Sequence, residues 1–180
     1  FKTDLEKIGI KVFLNMPFEY KCIEPLITKL ESVILSPGID LNNETVLKLK
    51  NLGIKVKGEI CIGWDYLQDL NWVGITGTNG KTTVTKLLSH ILCKNQLKAP
   101  PAGNVGIPFC EHAFNQNIKK DIDWLISEIS SYQIEISTSI RPRIGIWTSF
   151  TPDHLERHKS LENYFNIKNK LIKESEIRIY

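Results

Sequence analysis

The sequence lacks most of the features that mark secreted, membrane or nucleic-acid-binding proteins. Its four cysteines lie far apart without a C-x-x-C pair, which disfavours a disulfide framework and favours reduced thiols used in packing. No apolar run approaches the ~20 residues that span a bilayer, and no signal-peptide pattern opens the chain. The formal net charge is only +3, with scattered lysines. We therefore expect a cytoplasmic protein with neither membrane insertion nor a nucleic-acid partner.

What the chain does have is the composition of an ordinary globular protein. Of its 180 residues, 42% are hydrophobic and 24% are charged, close to the averages for soluble domains. A chain of this length can bury a substantial core and can form one or two domains. It begins at Phe1 rather than at Met, and its last residues resemble the start of a strand. We therefore expect a piece of a longer protein.

The first 70 residues contain a strand, a helix and a second strand. A short apolar run at 32–35 ends at a Ser-Pro-Gly turn and predicts a buried strand. Residues 44–50 have helical composition and precede Gly53, a typical helix stop, while residues 54–57 alternate like a strand. The pattern indicates a small α/β unit over residues 1–70.

A second α/β series follows over residues 71–180. Apolar residues recur with helical spacing after Lys81, at Val84, Leu87, Leu88, Ile91 and Leu92. Other segments continue the alternation: strands at 72–76, 123–128 and 144–148, and a helix at 161–174 opened by Ser160. Strands that alternate with helices predict a mostly parallel sheet with helices on both faces.

A glycine-rich stretch, G-I-T-G-T-N-G-K-T-T at 74–83, lies between the predicted strand and helix. It ends like a nucleotide-binding loop, although the general G-x-x-x-x-G-K-[ST] pattern needs glycine where this chain has Ile75. Glycines let backbone N–H groups approach phosphate oxygens, and the helix N-terminus adds partial positive charge. We expect Lys81 to reach the β- and γ-phosphates and Thr82 to hold Mg²⁺. The alternative is a structural turn with a surface lysine.

Four segments resemble the Mur ligase superfamily, whose members form amide bonds with ATP. The loop G-T-N-G-K-T-T, in which the earlier glycine lies close to Gly-Lys-Thr, is similar to the loop of that superfamily. The other three resemble its D-glutamate-adding members: E-I-S-S-Y-Q-I-E at 128–135, A-G-N-V-G at 102–106 and S-P-G-I at 36–39. The implied fold class is α/β, with an incomplete Rossmann-like N-terminal unit and part of a P-loop-type central ATPase domain with a mostly parallel sheet.

The resemblance implies an ATP-dependent ligase of peptidoglycan synthesis. In that reaction ATP phosphorylates the alanine carboxylate of UDP-N-acetylmuramoyl-L-alanine, and the amine of D-glutamate displaces phosphate from the acyl phosphate. The implied cofactors are ATP and Mg²⁺, the implied partners are these two small molecules, and we expect a monomer. The implied ATP-binding residues are Gly77, Thr78, Asn79, Gly80, Lys81, Thr82 and Thr83.

The resemblance also implies a metal and catalytic site. Glu128, at the end of a predicted strand, would join Thr82 as a ligand for Mg²⁺, and the alternative is a solvated carboxylate. His154, in T-P-D-H-L-E-R-H, would contact metal and substrate. Lys168, four residues after Tyr164, would be carbamylated and would help to hold Mg²⁺. Carbamylation needs a neutral amine, so burial and nearby cations would have to lower its pKa; otherwise Lys168 is one of several solvated lysines on this helix. The implied catalytic set is Lys81, His154 and Lys168.

Three polar residues are implied to bind the muramoyl substrate: Asn104, Ser130 and Gln133. His154 would contact it too. The alternative for the first three is that they only satisfy turns and strand ends. His158, four residues after His154, is expected at the surface or behind the site. A zinc site is disfavoured because the H-E-x-x-H motif needs glutamate where Leu155 stands.

The resemblance covers only part of a three-domain enzyme. The end of the central domain and the whole C-terminal domain would follow Tyr180, so we expect this chain to be inactive alone. Two alternatives remain open. The chain could come from another amide ligase of the superfamily, or it could be a nucleotide-binding remnant without ligase activity.

Overall fold

A computed structural model describes residues 2–114, 120–137 and 140–180. The chain divides into two compact units. One comprises residues 1–33 and 41–56, and the other comprises residues 34–40 and 57–180.

The first unit is built mainly from short helices: α1 (Lys2–Lys7), α2 (Tyr20–Ile23), a 3₁₀ helix (Glu24–Lys29) and α3 (Glu44–Asn51). The α3 helix begins at Asn43 because the Asn43 side chain accepts a hydrogen bond from Thr45 N at 2.9 Å. It buries Val46 and Leu49 completely. After α3 the chain turns at Gly53 with a φ of +77°, a conformation that favours glycine. The predicted helix and its stop are therefore confirmed.

Strands β1 (Ser32–Leu35) and β2 (Lys55–Gly58) form a two-stranded sheet. Both strands were predicted from the sequence and are confirmed. The predicted burial of β1 is wrong, however, because Ile34 is 47% exposed and Leu35 alone in this strand is buried. A short apolar run therefore indicated the strand but not its environment.

The second unit contains a five-stranded sheet with the order β4–β5–β3–β6–β7. Its strands are β3 (Asn71–Thr76), β4 (Pro101–Gly103), β5 (Trp124–Glu128), β6 (Ile144–Trp147) and β7 (Ile177–Ile179). All neighbouring strands run parallel, so the predicted parallel sheet is confirmed. Ile75 pairs with Glu128 on one side and with Ile146 on the other. This register brings the carboxyl ends of β3, β5 and β6 to one edge of the sheet.

The helices that cover both faces of this sheet are α4 (Glu59–Leu67), α5 (Lys81–Lys94), α6 (Phe109–Phe114), α7 (Ser131–Glu135) and α9 (Leu161–Glu174). The short helix α8 (Leu155–His158) packs on α9. Because side chains alternate along a strand, β3 contributes Trp72 to one core cluster and Val73 with Ile75 to the other. Trp72 is fully buried, and its ring stacks on the Phe109 ring with centroids 4.9 Å apart. Its Nε1 donates to Leu67 O at 2.9 Å. Burial of each large apolar side chain stabilises the fold by about 1.5–3 kcal/mol.

Two expectations about packing need correction. Of the predicted apolar stripe on α5, Val84, Leu88 and Leu92 pack on the sheet, but Leu87 and Ile91 are 56% and 47% exposed. The buried stripe is therefore narrower than the sequence pattern. The four cysteines are all free, but Cys93 is exposed, so the expectation that every thiol serves in packing is wrong. None of the helices in the described part of the chain combines the length and apolarity that a membrane crossing requires.

Candidate active site

The glycine-rich loop between β3 and α5 lies at the carboxyl edge of the sheet and is held by the segment after β6. Thr78 N donates to Ser149 O at 2.9 Å. Gly77 has a φ of +147°, and a Cβ there would lie 2.1 Å from Thr148 Oγ1. Gly80 has a φ of +83°. The two glycines are therefore required by backbone conformation, and Gly77 also by close packing.

The N-terminus of α5 opens onto this loop. Gly80 is its N-cap residue, and no described side chain caps it. Lys81, the first residue of the helix, donates from Nζ to Gly77 O at 3.0 Å and to Thr78 O at 2.8 Å. A helix N-terminus and a lysine over a glycine-rich loop provide the donors and the positive charge that a phosphate group requires.

Glu128 joins three elements at the same edge. This carboxylate is 2% exposed at the end of β5. Its Oε2 accepts from Thr82 Oγ1 at 2.7 Å, and its Oε1 accepts from Asn104 Nδ2 at 2.8 Å. The turn before Asn104 approaches closely because Gly103 has a φ of +90° and a Cβ there would lie 2.5 Å from Glu128 O. The structure thus brings three predicted site residues together.

The donors at this point fit Mg²⁺. The described residues contain no group of three or more histidine, cysteine, aspartate or glutamate side chains that could hold a metal ion. Mg²⁺ does not need such a group, because it commonly binds one or two carboxylates and keeps several waters. Thr82 Oγ1 lies 2.7 Å from Glu128 Oε2, and both atoms are oxygen ligands of the kind that Mg²⁺ binds.

Lys168 lies in the middle of α9 and is 1% exposed. Its Nζ donates to Gly77 O at 2.8 Å and lies 4.8 Å from the centre of the Tyr164 ring. Burial, and then the positive charge of Lys81, lowers the pKa of Lys168 to about 7, while Asp153 acts in the opposite direction. A large fraction of this amine is therefore neutral near neutral pH, and a neutral amine can act as a nucleophile.

His154 lies apart from the metal donors. It is the N-cap residue of α8, with a φ of +52°, and its Nδ1 lies 3.3 Å from Tyr132 OH. Its side chain also lies near Asp153 and Tyr164. The structure does not bring it to Thr82 or Glu128, and its role in metal binding stays a prediction.

Ser130 and Gln133 form the start of α7. Ser130 Oγ accepts from Gln133 N at 3.3 Å, and Gln133 Oε1 accepts from Ser130 N at 3.0 Å. This reciprocal pair is a capping box. The arrangement gives both side chains a structural role, and their contact with substrate stays a prediction.

Sequence reasoning gave no role to Glu135 and Arg157, although both lie inside the quoted motifs. Arg157 Nη2 donates to Glu135 Oε2 at 2.7 Å and to Ile39 O at 2.9 Å. The ion pair thereby links three motifs: the 36–39 turn, the end of α7 and the α8 segment. His158, expected at the surface or behind the site, is fully buried, which excludes the surface position.

The parallel sheet, the strand–loop–helix junction and the oxygen donors of Thr82 and Glu128 are typical of an α/β nucleotide-phosphate-binding domain. The family model described as the Mur ligase middle domain matches residues 75–179. The chain belongs to the Mur ligase family.

Similar proteins agree with this assignment. The chain is 59% identical over 179 residues to a UDP-N-acetylmuramoylalanine--D-glutamate ligase of Prochlorococcus marinus strain MIT 9312, covering 99% of the chain and 38% of that protein. It is 56% identical over 180 residues to the ligase of the same name from strain MIT 9515, with 99% and 38% covered. The chain thus spans about 38% of the length of these relatives.

A solved structure shows the same fold. The chain is similar to UDP-N-acetylmuramate:L-alanyl-gamma-D-glutamyl-meso-diaminopimelate ligase from Neisseria meningitides, with a TM-score of 0.59 and 18% sequence identity. The match covers 96% of this chain and 56% of that chain. At this identity the similarity supports the α/β architecture alone.

Proposed function

We propose that this chain is part of an ATP-dependent ligase that adds D-glutamate to UDP-N-acetylmuramoyl-L-alanine in the cytoplasm, as a monomer. Residues 1–70 would belong to the N-terminal domain that binds the UDP substrate. Residues 71–180 would form the first part of the central ATP-binding domain. The 59% identity to a ligase of that name supports the choice of substrates. The observation that carries the chemistry is the convergence of Thr82 and Asn104 on the buried Glu128 carboxylate.

The loop would bind the ATP phosphates through the backbone N–H groups where it enters α5, because Thr78 N and Asn79 N already donate to Ser149. Lys81 donates to two loop carbonyls, and its ammonium would turn to the β- and γ-phosphates when they enter. This residue supplies positive charge where negative charge develops during phosphoryl transfer, which depends mainly on alignment and charge neutralisation. Asn104 would hold the muramoyl-alanine group beside Glu128.

Mg²⁺, when bound, would neutralise phosphate charge and align the carboxylate with the γ-phosphate. Thr82 and Glu128 would hold it directly. The lowered pKa of Lys168 supports carbamylation: the neutral amine adds to CO₂, a C–N bond forms, and one proton leaves to solvent. The resulting carbamate would be a third oxygen ligand. His154 would contact substrate from the exposed side of the site, where its side chain is 42% accessible.

The decisive experiment uses the full protein that contains this chain. We expect phosphate release that requires ATP, Mg²⁺, UDP-N-acetylmuramoyl-L-alanine and D-glutamate together. L-glutamate and meso-diaminopimelate serve as control amino acids. Activity with one of these instead of D-glutamate would identify another ligase of the family. ATP binding without any amino-acid-dependent turnover would support a non-catalytic remnant and would contradict the proposal.

A further inference from the structure

We propose that His158 is a positioning residue, which holds Tyr164, and through it Lys168, against the phosphate loop by stacking. The kinetic part of this inference rests on the proposed ligase function, whereas the structural part does not. The two parts therefore receive separate measurements.

His158 is a fully buried imidazole. Its ring stacks on the Tyr164 ring with centroids 5.3 Å apart and an angle of 21° between the planes. The centroid of the Tyr132 ring lies 5.4 Å from that of the His158 ring. The backbone carbonyl of His158 accepts from Asn163 Nδ2 at 2.9 Å, which ties the end of α8 to the first turn of α9. The ring is thus held between two motif segments that sequence reasoning treated separately.

Tyr164 connects His158 to the phosphate loop. Its side chain is 1% exposed, and its hydroxyl lies 3.3 Å from Thr78 Oγ1. The side-chain nitrogen of Lys168 lies 4.8 Å from the centre of the same ring and 2.8 Å from Gly77 O. The Tyr164 ring therefore contacts both the phosphate loop and the buried lysine, and a shift of the ring would displace both.

The His158 ring has one side-chain partner at hydrogen-bond distance and two aromatic neighbours. Its Nε2 lies 3.0 Å from Ser131 Oγ, but its Nδ1 lies 3.8 Å from Glu135 Oε1 and has no hydrogen-bond partner among the described residues. Burial lowers the pKa of His158, although Glu135 acts in the opposite direction. Stacking on Tyr164 is the contact that links His158 to the site.

The test separates stacking from hydrogen bonding. His158→Phe keeps an aromatic ring and removes the nitrogen atoms, whereas His158→Asn keeps a polar group for Ser131 and removes the ring. His158→Leu, which fills the volume without an aromatic face, replaces the Asn variant if that variant does not fold. His112→Asn is the matched control, because His112 is also a buried imidazole, 1% exposed, on α6.

The first measurement is structural and is made in the full protein with ¹³C-labelled lysine. Lys168→Met assigns the Lys168 side-chain signal, and the Tyr164 ring should displace that signal upfield through its ring current. We expect the displacement to persist in His158→Phe and His112→Asn and to be lost in His158→Asn. An unchanged signal in His158→Asn, or an equal loss in His158→Phe, overturns the proposal.

The second measurement is the ligation rate. We expect His158→Asn to lower kcat by about 10- to 100-fold, the range seen when groups behind metal ligands are removed, with the KM for ATP unchanged. His158→Phe should retain most of the rate, and His112→Asn should match the wild type. If the wild type does not ligate, the proposed function fails while the lysine signal still decides the role of His158. An active wild type with an equally active His158→Asn variant overturns the positioning role alone.

Discussion

Two helices of equal length begin in different ways at the same edge of the sheet. Both α5 and α9 have 14 residues. The first turn of α9 is closed by Ser160, whose Oγ accepts from Asn163 N at 3.0 Å. The first turn of α5 follows Gly80, and no described side chain caps it. The N-terminus of α9 thus has one backbone donor satisfied by its own cap residue, whereas no described side chain competes with an anion for the donors of α5.

The lysines of the two helices extend this contrast. Lys81 and Lys168 both donate to Gly77 O, at 3.0 Å and 2.8 Å. Lys81 lies at the mouth of the loop, but Lys168 is almost completely buried in the third turn of its helix. Burial lowers the pKa of Lys168 to about 7. Gly77 O thus accepts from both lysines: Lys81, which we propose to bind phosphate, and Lys168, which we propose to be carbamylated.

The largest predicted effect comes from removing each of these lysines. We expect Lys81→Met to raise the KM for ATP and also lower kcat, because Lys81 would contact the nucleotide. Lys168→Met should lower kcat by on the order of 10²–10³-fold, the range for lost electrostatic stabilisation, with the KM for ATP close to wild type. Steady-state phosphate release in the full protein measures both constants.

Lys173→Met provides the control for this comparison, since Lys173 is an exposed lysine on the same helix. The Lys173→Met variant should have the wild-type kcat and the wild-type KM for ATP. If Lys168→Met raises the KM for ATP as much as Lys81→Met does, the two lysines share one role and the contrast between the helices is wrong.

The second prediction compares the two loop glycines. A Cβ at residue 77 would lie 2.1 Å from Thr148 Oγ1, whereas at residue 80 the nearest atom is 3.6 Å away. Both positions have positive φ. Gly77→Ala should therefore destabilise the protein by more than the roughly 1–2 kcal/mol expected of Gly80→Ala from left-handed strain alone. Urea unfolding of both variants measures the difference, and equal losses would show that the clash at residue 77 is relieved by movement of Thr148.

The sequence was sufficient for the central strands and the two longest helices because its local patterns agree with one another, but the helices α4 and α6 and the strand β4 were not predicted. The strand and helix of the phosphate loop were predicted from apolar periodicity and a Gly-Lys-Thr ending, and β3 and α5 confirm them. Burial was harder to predict: Ile34 lies in a strand and Leu87 on an amphipathic helix, yet both are exposed. Periodicity reports which face of an element is apolar, but tertiary packing decides how wide a stripe is covered.

The site could be predicted only as a set of separate motifs. Thr82 and Glu128 were identified from the loop motif and a strand end, and Asn104 only from the family resemblance. Their convergence depends on parallel pairing between segments far apart in sequence. Arg157 and Glu135 were not assigned a role, because an ion pair between two short helices has no local signature. From the sequence, a lowered pKa of Lys168 could only be named as a condition for carbamylation. The structure supplies its cause, because Lys168 is buried.

The third prediction tests the buried lysine through the pH dependence of stability. The folded-state pKa of Lys168 is about 7 and the ordinary value is 10.5, so between these pH values the unfolded state binds more protons. Stability should therefore rise with pH across this window, with a contribution that approaches ~1.4 kcal/mol per pH unit. Lys168→Met should remove that contribution and should stabilise the protein near pH 7.

Urea unfolding at a series of pH values measures this slope. The difference between wild type and Lys168→Met isolates Lys168 from other groups that titrate in the same range, such as Tyr164, whose pKa is raised by burial. Lys173→Met should keep the wild-type slope. A parallel pH dependence in wild type and Lys168→Met would mean that Lys168 stays charged in the folded protein, and carbamylation would lose its physical basis.

The smallest predicted effect concerns the capped helix. Ser160→Ala removes the hydrogen bond from Asn163 N to Ser160 Oγ and should lower the free energy of unfolding by about 1 kcal/mol. Because Ser160 caps α9 and is not among the residues proposed to bind ATP, the affinity for ATP should be unchanged. Ser160→Gly should lower the free energy of unfolding by less, because glycine leaves the helix donors open to water. Urea unfolding and calorimetric titration with ATP measure the two quantities. A loss of ATP affinity in Ser160→Ala would show that the start of α9 also takes part in ligand binding, so that the two helix ends differ less than their caps indicate.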